Sequence, residues 1–336
     1  MTTQIRMASI LFLLCLLSFL PISPYEIRAQ STCTLTLTDG PDRDLVSLFQ
    51  KHTCIIFDAV NRFEKNKKRL MLPSEITNGD GTYGLQRLSE LILATGMKIS
   101  ANQLASQVIS LNDNTFEIRR LYVSTNQTNE NRTQELVLTF DKSGRLLDAR
   151  FALPEHQFDM ILNEAISLED DFRRRQIVNF LEQFKTAYNR KDVNYIELQF
   201  SDKALIITGT RIQETTQRGN NLKINSSERY QDQYLLIRQS KIEYINNLKN
   251  KIFKNNAYVN VDFSGINILQ HPDYEDIYWV QVFQKWSSSS YSDMGYLSFM
   301  IDFSDENQPL IYVRAWQPEP FSDGTLIDLN MFEIIK

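Results

Sequence analysis

The chain has 336 residues, of which 42% are hydrophobic and 23% charged, and its formal net charge is −5. This is an ordinary globular composition, and the length is enough for two separate cores. The mild acidity provides no basic surface of the kind that binds nucleic acid or an anionic membrane, so those partner classes are not expected.

The N-terminus has the parts of a secretory signal peptide. Residues 1–6 carry one positive charge, residues 10–20 form an apolar run of eleven, and two prolines break the run before Ala29. We therefore predict that residues 1–29 are removed on export and that no membrane span remains. A retained anchor is the alternative, but the run falls short of the roughly 20 residues that a spanning helix needs.

Two cysteines follow the predicted cleavage site, Cys33 and Cys54. An apolar seam with helical spacing predicts a helix over 42–65, and Cys54 lies opposite that seam, where a core cysteine is not expected. In an exported protein, a disulfide between Cys33 and Cys54 explains this position, with two unpaired thiols as the alternative. Such a disulfide would add about 3 kcal/mol of stability in the chain-entropy account.

The first half of the mature chain reads as helices followed by strands. After a strand at 34–38 and the helix over 42–65, a second helix is predicted over 84–94. Alternating apolar residues then predict strands at 103–111, 115–124, 134–141 and 146–153. Helices followed by an antiparallel meander predict an α+β domain over residues 31–153, and Pro154 opens a linker helix within 154–166.

The second half, residues 167–336, is predicted to form another domain. A capping box at Ser167 opens a long helix with a seam that includes Ile177, Leu181 and Phe184, and a second capping box at Ser240 opens a later helix. The predicted strands lie at 204–212, 230–238, 257–269, 277–287, 292–303 and 310–317.

This order of elements, with the segment FSDKAL at 200–205, resembles the nuclear transport factor 2-like superfamily, whose fold is a cone-shaped α+β structure. The runs DFSDE at 302–306 and VRAWQP at 313–318 resemble exported proteins of anaerobic Gram-negative bacteria. The resemblance covers residues 168–318. It implies two α+β domains, each with helices packed on a curved antiparallel sheet, of which the C-terminal one is nuclear transport factor 2-like. The related order of the N-terminal half leaves open a divergent second copy.

Strand parity divides the C-terminal sheet into two faces. One face is apolar and is expected to pack on the helix seam; its residues are Val259, Val261, Phe263, Val280, Val282, Leu297, Phe299, Ile301, Ile311 and Val313. The other face mixes aromatic and polar groups, and its candidate binding residues are Trp279, Tyr296, Asp302, Tyr312, Arg314 and Trp316. Such a mixture is typical of interface cores, so we expect the N-terminal domain, a second copy in a homodimer or another partner to cover this face. An amphipathic outer face with ordinary cross-strand pairs is the alternative.

No residue pattern points to catalysis. The three histidines, His52, His156 and His271, lack metal-ligand spacing, and neither a phosphate loop nor a nucleophile motif is present, so no metal or cofactor is predicted. The superfamily includes isomerases and dehydratases that use Asp, His or Tyr inside the cone. Here Asp262 and Asp302 fall on the face opposite the apolar one, so those roles do not carry over.

We therefore expect an exported, non-catalytic binding protein of the bacterial envelope, in the periplasm or at the cell surface. It would hold a small ligand in the cone or a protein partner on the aromatic sheet face. The alternatives are an isomerase- or dehydratase-like enzyme and a structural oligomeric component of the envelope. An open space beneath Ile177, Phe184 and Phe299 would favour a ligand, whereas a filled one would favour a protein partner.

Overall fold

The computed structural model describes residues 33–63, 70–77, 79, 81–99, 102–112, 114–126, 133–211, 234–305 and 308–332. The predicted signal peptide lies outside these residues. Helices and two six-stranded sheets make up the described part, which confirms the α+β class. None of its helices is long and apolar enough to cross a membrane.

The N-terminal sheet has the strand order β1-β3-β4-β5-β6, and β2 pairs with β4. Its strands and helices are β1 (Thr34–Thr38), α1 (Arg43–Arg62), α2 (Ser74–Thr77), α3 (Gly81–Thr95), β2 (Lys98–Ile99), β3 (Asn102–Asn112), β4 (Thr115–Ser124), β5 (Thr133–Asp141) and β6 (Leu146–Phe151). The meander is antiparallel as predicted, but β1 runs parallel to β3 because the helical segment between them returns the chain to the same end of the sheet.

Helix α1 shows how local chemistry sets the element ends. Asp42 is its N-cap, and the carboxylate accepts a hydrogen bond of 2.8 Å from the backbone N–H of Leu45. The predicted disulfide between Cys33 and Cys54 is confirmed, and it ties the start of β1 to the middle of α1. His52 is buried on the seam of the helix, where Nδ1 lies 2.7 Å from the Gly144 carbonyl oxygen.

The C-terminal sheet has the order β8-β7-β12-β11-β10-β9, so the four strands predicted as a meander are neighbours. The elements of this half are α4 (Glu155–Asn163), α5 (Leu168–Arg190), α6 (Val193–Leu198), β7 (Phe200–Arg211), β8 (Tyr234–Ser240), α7 (Lys241–Asn247), a π-helical turn (Leu248–Phe253), β9 (Val259–His271), β10 (Tyr274–Ser288), β11 (Ser292–Asp302), β12 (Leu310–Gln317) and a 3₁₀ turn (Leu329–Met331). Strand β12 runs parallel to β7, so this sheet is also mixed rather than wholly antiparallel.

Helix α5 packs its apolar seam on the C-terminal sheet, as predicted. Ile177, Leu181 and Phe184 are fully buried in one cluster with the apolar face of β9, β10 and β11. The ring of Phe184 lies 5.3 Å from that of Phe299 and 6.1 Å from that of Phe200. Aromatic rings therefore fill the space beneath Ile177, Phe184 and Phe299, and each large buried side chain contributes about 1.5–3 kcal/mol.

The opposite side of α5 forms buried ion pairs with the N-terminal sheet. Glu182 is fully buried and lies 2.5 Å from Arg119 Nη2 and 3.0 Å from Arg150 Nε. Arg150 also pairs with Glu117 at 2.5 Å. Because these partners lie on β4 and β6, helix α5 is fixed to the C-terminal sheet by apolar contacts and to the N-terminal sheet by a buried ion network.

Candidate functional site

A bulge in β12 changes which side chains face the core. Met300 pairs with Val313, whereas the next residue of β11, Ile301, pairs with Ile311, so Tyr312 is an extra residue in the ladder. Each residue added to a strand reverses the facing of those beyond it. Arg314 and Trp316 consequently lie on the core side with Ile311, and Val313 faces outward. The parity assignment was wrong for Arg314, Trp316 and Val313.

Trp279 does lie on the outer face, and the chain itself covers it. Its side chain is only 2% exposed and packs in a cluster with Ile327 and Leu329, and its ring lies 5.6 Å from that of Phe332. The backbone N–H of Ile327 donates a hydrogen bond of 2.6 Å to Gln317 Oε1, which fixes this segment to the end of β12. The cover over Trp279 is therefore the C-terminal segment after β12, which was not among the predicted occupants.

The remaining three candidate residues do not meet at one place. The ring of Tyr296 lies 5.4 Å from that of Phe283, and Tyr312 packs against the cluster around Trp279. The carboxylate of Asp302 accepts hydrogen bonds of 2.8 and 2.6 Å from the N–H and hydroxyl of Ser304, which fixes the turn after β11. A binding role for Tyr296, Tyr312 and Asp302 stays a prediction.

At one end of the apolar face of the C-terminal sheet, six aromatic and charged side chains from five elements come together. We call this set the Arg314 cluster: Tyr188 of α5, Tyr244 of α7, Trp286 of β10, Asp293 of β11, and Arg314 and Trp316 of β12. The Arg314 guanidinium lies 5.0 Å from the centre of the Tyr244 ring, and the hydroxyls of Tyr244 and Tyr188 are hydrogen-bonded to each other. The Tyr188 ring lies 5.8 Å from that of Trp286, which pairs across the strands with Asp293.

Gly295 makes room for the indole of Trp316. It follows Asp293 by two residues on β11, so it lies on the same face of the sheet. A Cβ atom on Gly295 would lie 3.0 Å from Trp316 Cζ2 and 2.5 Å from the Gln317 carbonyl oxygen. Only glycine therefore lets the Trp316 side chain lie across β11 beside Asp293.

Several polar atoms of the Arg314 cluster have no hydrogen-bond partner within the described residues. These are the donors Arg314 Nε, Trp286 Nε1 and Trp316 Nε1 and the acceptor Asp293 Oδ1. Arg314 is only 6% exposed. A buried polar atom without a partner costs about 1–3 kcal/mol, so three such donors in one place call for an acceptor.

Burial also perturbs ionisation in the Arg314 cluster. It raises the pKa of Asp293 to about 6, although the nearby charge of Arg314 acts in the opposite direction. Burial and the neighbouring Tyr244 raise the pKa of Tyr188 well above its ordinary value, so this phenol stays neutral. Asp293 is thus the titratable acid of the cluster near neutral pH, and Arg314 is its permanent cation.

Tyr291 covers the cluster from the solvent side. Its ring stacks on that of Trp286 at 6.2 Å with an interplanar angle of 24°, and the residue is 47% exposed. The backbone of the hairpin turn is fixed by hydrogen bonds in both directions between Ser288 and Tyr291. The backbone is therefore held in place while the phenol lies at the surface.

A cleft lies beside α5, between residues of the N-terminal and the C-terminal sheet. This cleft has a volume of about 360 Å³, and Lys185 of α5 lies in it together with Asp262, Ala152 and Glu155. Lys185 Nζ lies 3.3 Å from the Asp262 carboxylate and donates a hydrogen bond of 2.8 Å to the Ala152 carbonyl, and Glu155 pairs with Arg120 at 2.5 Å. The cleft has room, but these charged groups already satisfy one another.

The sequence did hold a signal for two residues of the Arg314 cluster. Counting back in steps of two from Leu297 reaches Gly295 and Asp293, and counting on from Val282 reaches Trp286. These positions follow the same parity as the predicted apolar face. The predicted core face therefore ends in charged and aromatic residues.

No family model matches the chain, and no curated protein matches it. Among solved structures, Bd1075 of Bdellovibrio bacteriovorus is 15% identical over 60% of this chain and 70% of its own, with a TM-score of 0.32. The beta subunit of benzoate 1,2-dioxygenase from Burkholderia mallei is 11% identical over 49% of this chain and 97% of its own, with a TM-score of 0.28. An Ntf2-like protein involved in plasmid conjugation is 13% identical over 83% of this chain and 99% of its own, with a TM-score of 0.25. Similarity at this level carries no argument about the function of this chain.

Proposed function

We propose that the protein is an exported, non-catalytic binding protein of the bacterial cell envelope whose small ligand binds at the Arg314 cluster and not beneath Ile177, Phe184 and Phe299, where aromatic rings fill the space and exclude a ligand. The observation that supports this proposal is the set of buried donors without partners, which are Arg314 Nε, Trp286 Nε1 and Trp316 Nε1. A ligand that brings acceptor atoms to these donors recovers the cost of burying them unpaired. The surrounding rings supply the apolar contact area that small-molecule sites use.

Two other surfaces fit the proposal less well. In the 360 Å³ cleft, the ammonium group of Lys185 already has a carboxylate and a carbonyl as partners. On the outer face, a protein partner or a second copy that bound Trp279 would first have to displace the C-terminal segment. The Arg314 cluster, in contrast, brings unpaired buried donors together with aromatic rings.

Export is supported by the signal-like N-terminus and by the disulfide between Cys33 and Cys54, since structural disulfides persist in oxidising compartments. Location is tested by fractionating the source cells and sequencing the N-terminus of the mature protein. Export predicts a chain that begins after Ala29 in a non-cytosolic fraction. A chain that retains residues 1–29 in the cytosol would contradict it.

Tryptophan fluorescence tests binding at the Arg314 cluster, because two of the three tryptophans of the chain belong to it. We would titrate the protein with benzoate, benzamide, phenol and benzylamine. At least one of these one-ring compounds should quench emission saturably, and Trp286→Phe should lose most of that response. The matched control Trp279→Phe should retain it. No saturable response to any compound, or a response that disappears with Trp279, would contradict the proposal.

A second candidate is the isomerase- or dehydratase-like enzyme, and one observation favours it. Asp293 combines a pKa raised to about 6 by burial with a position opposite Trp286 on the neighbouring strand, where the charge of Arg314 acts on it. A carboxylate titrating near the working pH is suited to act as a general base. The enzyme candidate predicts that the protein accelerates deuterium exchange next to the carbonyl of acetophenone and that Asp293→Asn abolishes this. If the wild type and Asp293→Asn exchange deuterium at the same rate, the enzyme candidate is contradicted and only the binding function remains proposed.

A further inference from the structure

We infer that the ligand of the Arg314 cluster is an organic anion with a single six-membered ring, and that it takes the place of the Tyr291 side chain over Trp286. This inference rests on the proposed function. It adds to that function the charge of the ligand, its size and its route of entry.

The negative charge of the ligand is inferred from a comparison of the buried arginines within the molecule. Arg150 and Arg119 both pair with Glu182, and Arg87 lies 2.9 Å from Asp148. Arg314 is equally buried, yet it has no carboxylate within ion-pair distance in the part of the chain that the structure describes. A buried cation is costly unless an anion pairs with it, and the planar guanidinium suits a carboxylate above other anions.

Asp293 forms no ion pair with Arg314, although the charge of Arg314 acts on it. Its Oδ1 has no hydrogen-bond partner among the described residues. The indole N–H groups of Trp286 and Trp316 are unpaired in the same cluster. The unpaired donors are therefore one guanidinium N–H and two indole N–H groups, and carboxylate oxygens are acceptors of the kind that such donors bind.

The size of the ligand is inferred from the space that the Tyr291 side chain occupies. Its phenol ring stacks on Trp286, and the charges of Asp293 and Arg314 both act on its ionisation, so it lies over the cluster. Exposed side chains change rotamer within nanoseconds, and the turn that carries Tyr291 is held by backbone hydrogen bonds that such a rotation leaves intact. Rotation of Tyr291 away from Trp286 vacates the space of one six-membered ring. A one-ring acid can restore the stacking and present its carboxylate to Arg314.

The test compares benzoate with benzamide, which has nearly the same shape but no charge, by calorimetric titration of the full mature chain. The inference predicts that benzoate binds at least tenfold more tightly than benzamide and that Arg314→Gln reduces this preference to below threefold. The matched control is Arg175→Gln, which removes an exposed arginine of α5 that pairs with Asp171 and should leave the preference intact. Tyr291→Ala should raise the affinity for benzoate at least threefold, because the ligand no longer competes with the phenol.

The results test the charge of the ligand and its route of entry separately. Equal affinity for benzoate and benzamide would overturn the inference about charge and leave the proposed function standing, whereas the absence of binding by every one-ring compound would overturn both. A fall in benzoate affinity with Tyr291→Ala would show that the phenol forms part of the site rather than its cover, and would overturn the route of entry. If Arg314→Gln does not fold, as judged by circular dichroism, the wild type still tests the charge of the ligand through its preference for benzoate. The Tyr291→Ala variant still tests the route of entry.

Discussion

Replacing Glu182 with glutamine removes the only charge that helix α5 contributes to the buried network of Arg119, Arg150 and Glu117. Glu182 accepts hydrogen bonds from both guanidinium groups and, at 2.9 Å, from the backbone N–H of Leu153. The variant leaves the two buried cations with Glu117 as their close partner and with only the longer contacts of Arg119 to Glu135 at 3.9 Å and of Arg150 to Asp148 at 3.5 Å. Breaking a buried pair from one side costs about 3–5 kcal/mol, and we expect a loss of that size.

Urea unfolding measures this loss. With an m-value of about 3 kcal/mol/M, the expected loss lowers the midpoint by about 1–2 M. The matched control is Asp171→Asn on the same helix, which breaks the exposed pair with Arg175 and should cost less than about 1 kcal/mol. If Glu182→Gln lowers stability no more than Asp171→Asn does, the ion network does not fix α5 to the N-terminal sheet and the reasoning is refuted.

Three further predictions concern the C-terminal half. The pKa of Asp293 rises from its ordinary 3.8 to about 6, so the folded state disfavours the ionised form and loses stability as the pH rises through this window. Asp293→Asn should therefore stabilise the protein by about 1 kcal/mol above pH 6, after allowance for partial exposure of the carboxylate. Thermal melts should show no gain in stability at a pH below the ordinary pKa of 3.8, and a gain there would contradict this prediction. Gly295→Ala should cost about 1–3 kcal/mol, because the new Cβ meets the Gln317 carbonyl and displaces Trp316; unchanged stability would show that the strand has room. A chain that ends at residue 320 should expose Trp279 and shift its emission to the red; unchanged emission would mean that the segment does not cover it.

Much of the fold could be predicted because its determinants are local. The capping residues Ser167 and Ser240 begin the two helices that they were predicted to begin, and the helix predicted over 42–65 starts at Arg43. The strand Thr115–Ser124 has the predicted bounds, since period-two alternation and turn residues mark both its ends. The position of Cys54 opposite the helix seam, together with the predicted export, favoured the disulfide over two unpaired thiols, and the disulfide is confirmed.

The site could be predicted only in part, because its geometry depends on contacts that are distant in the sequence. The bulge at Tyr312 arises where β12 meets β11, and no local pattern marks the extra residue that turns Arg314 and Trp316 inward. The segment that covers Trp279 has no periodicity, so its docking on the sheet could not be read from the chain. The division into domains over 31–153 and 167–336 remains a prediction, which separate expression of the two segments would test.

A crystal structure with 4-iodobenzoate would test the assigned site most directly, because the anomalous signal of iodine locates the ligand independently of the protein. We predict one strong iodine peak at the Arg314 cluster, with the ring on Trp286, the carboxylate on Arg314 and the Tyr291 side chain rotated outward. An iodine peak confined to the cleft beside Lys185, or a ligand that leaves Tyr291 stacked on Trp286, would contradict this account.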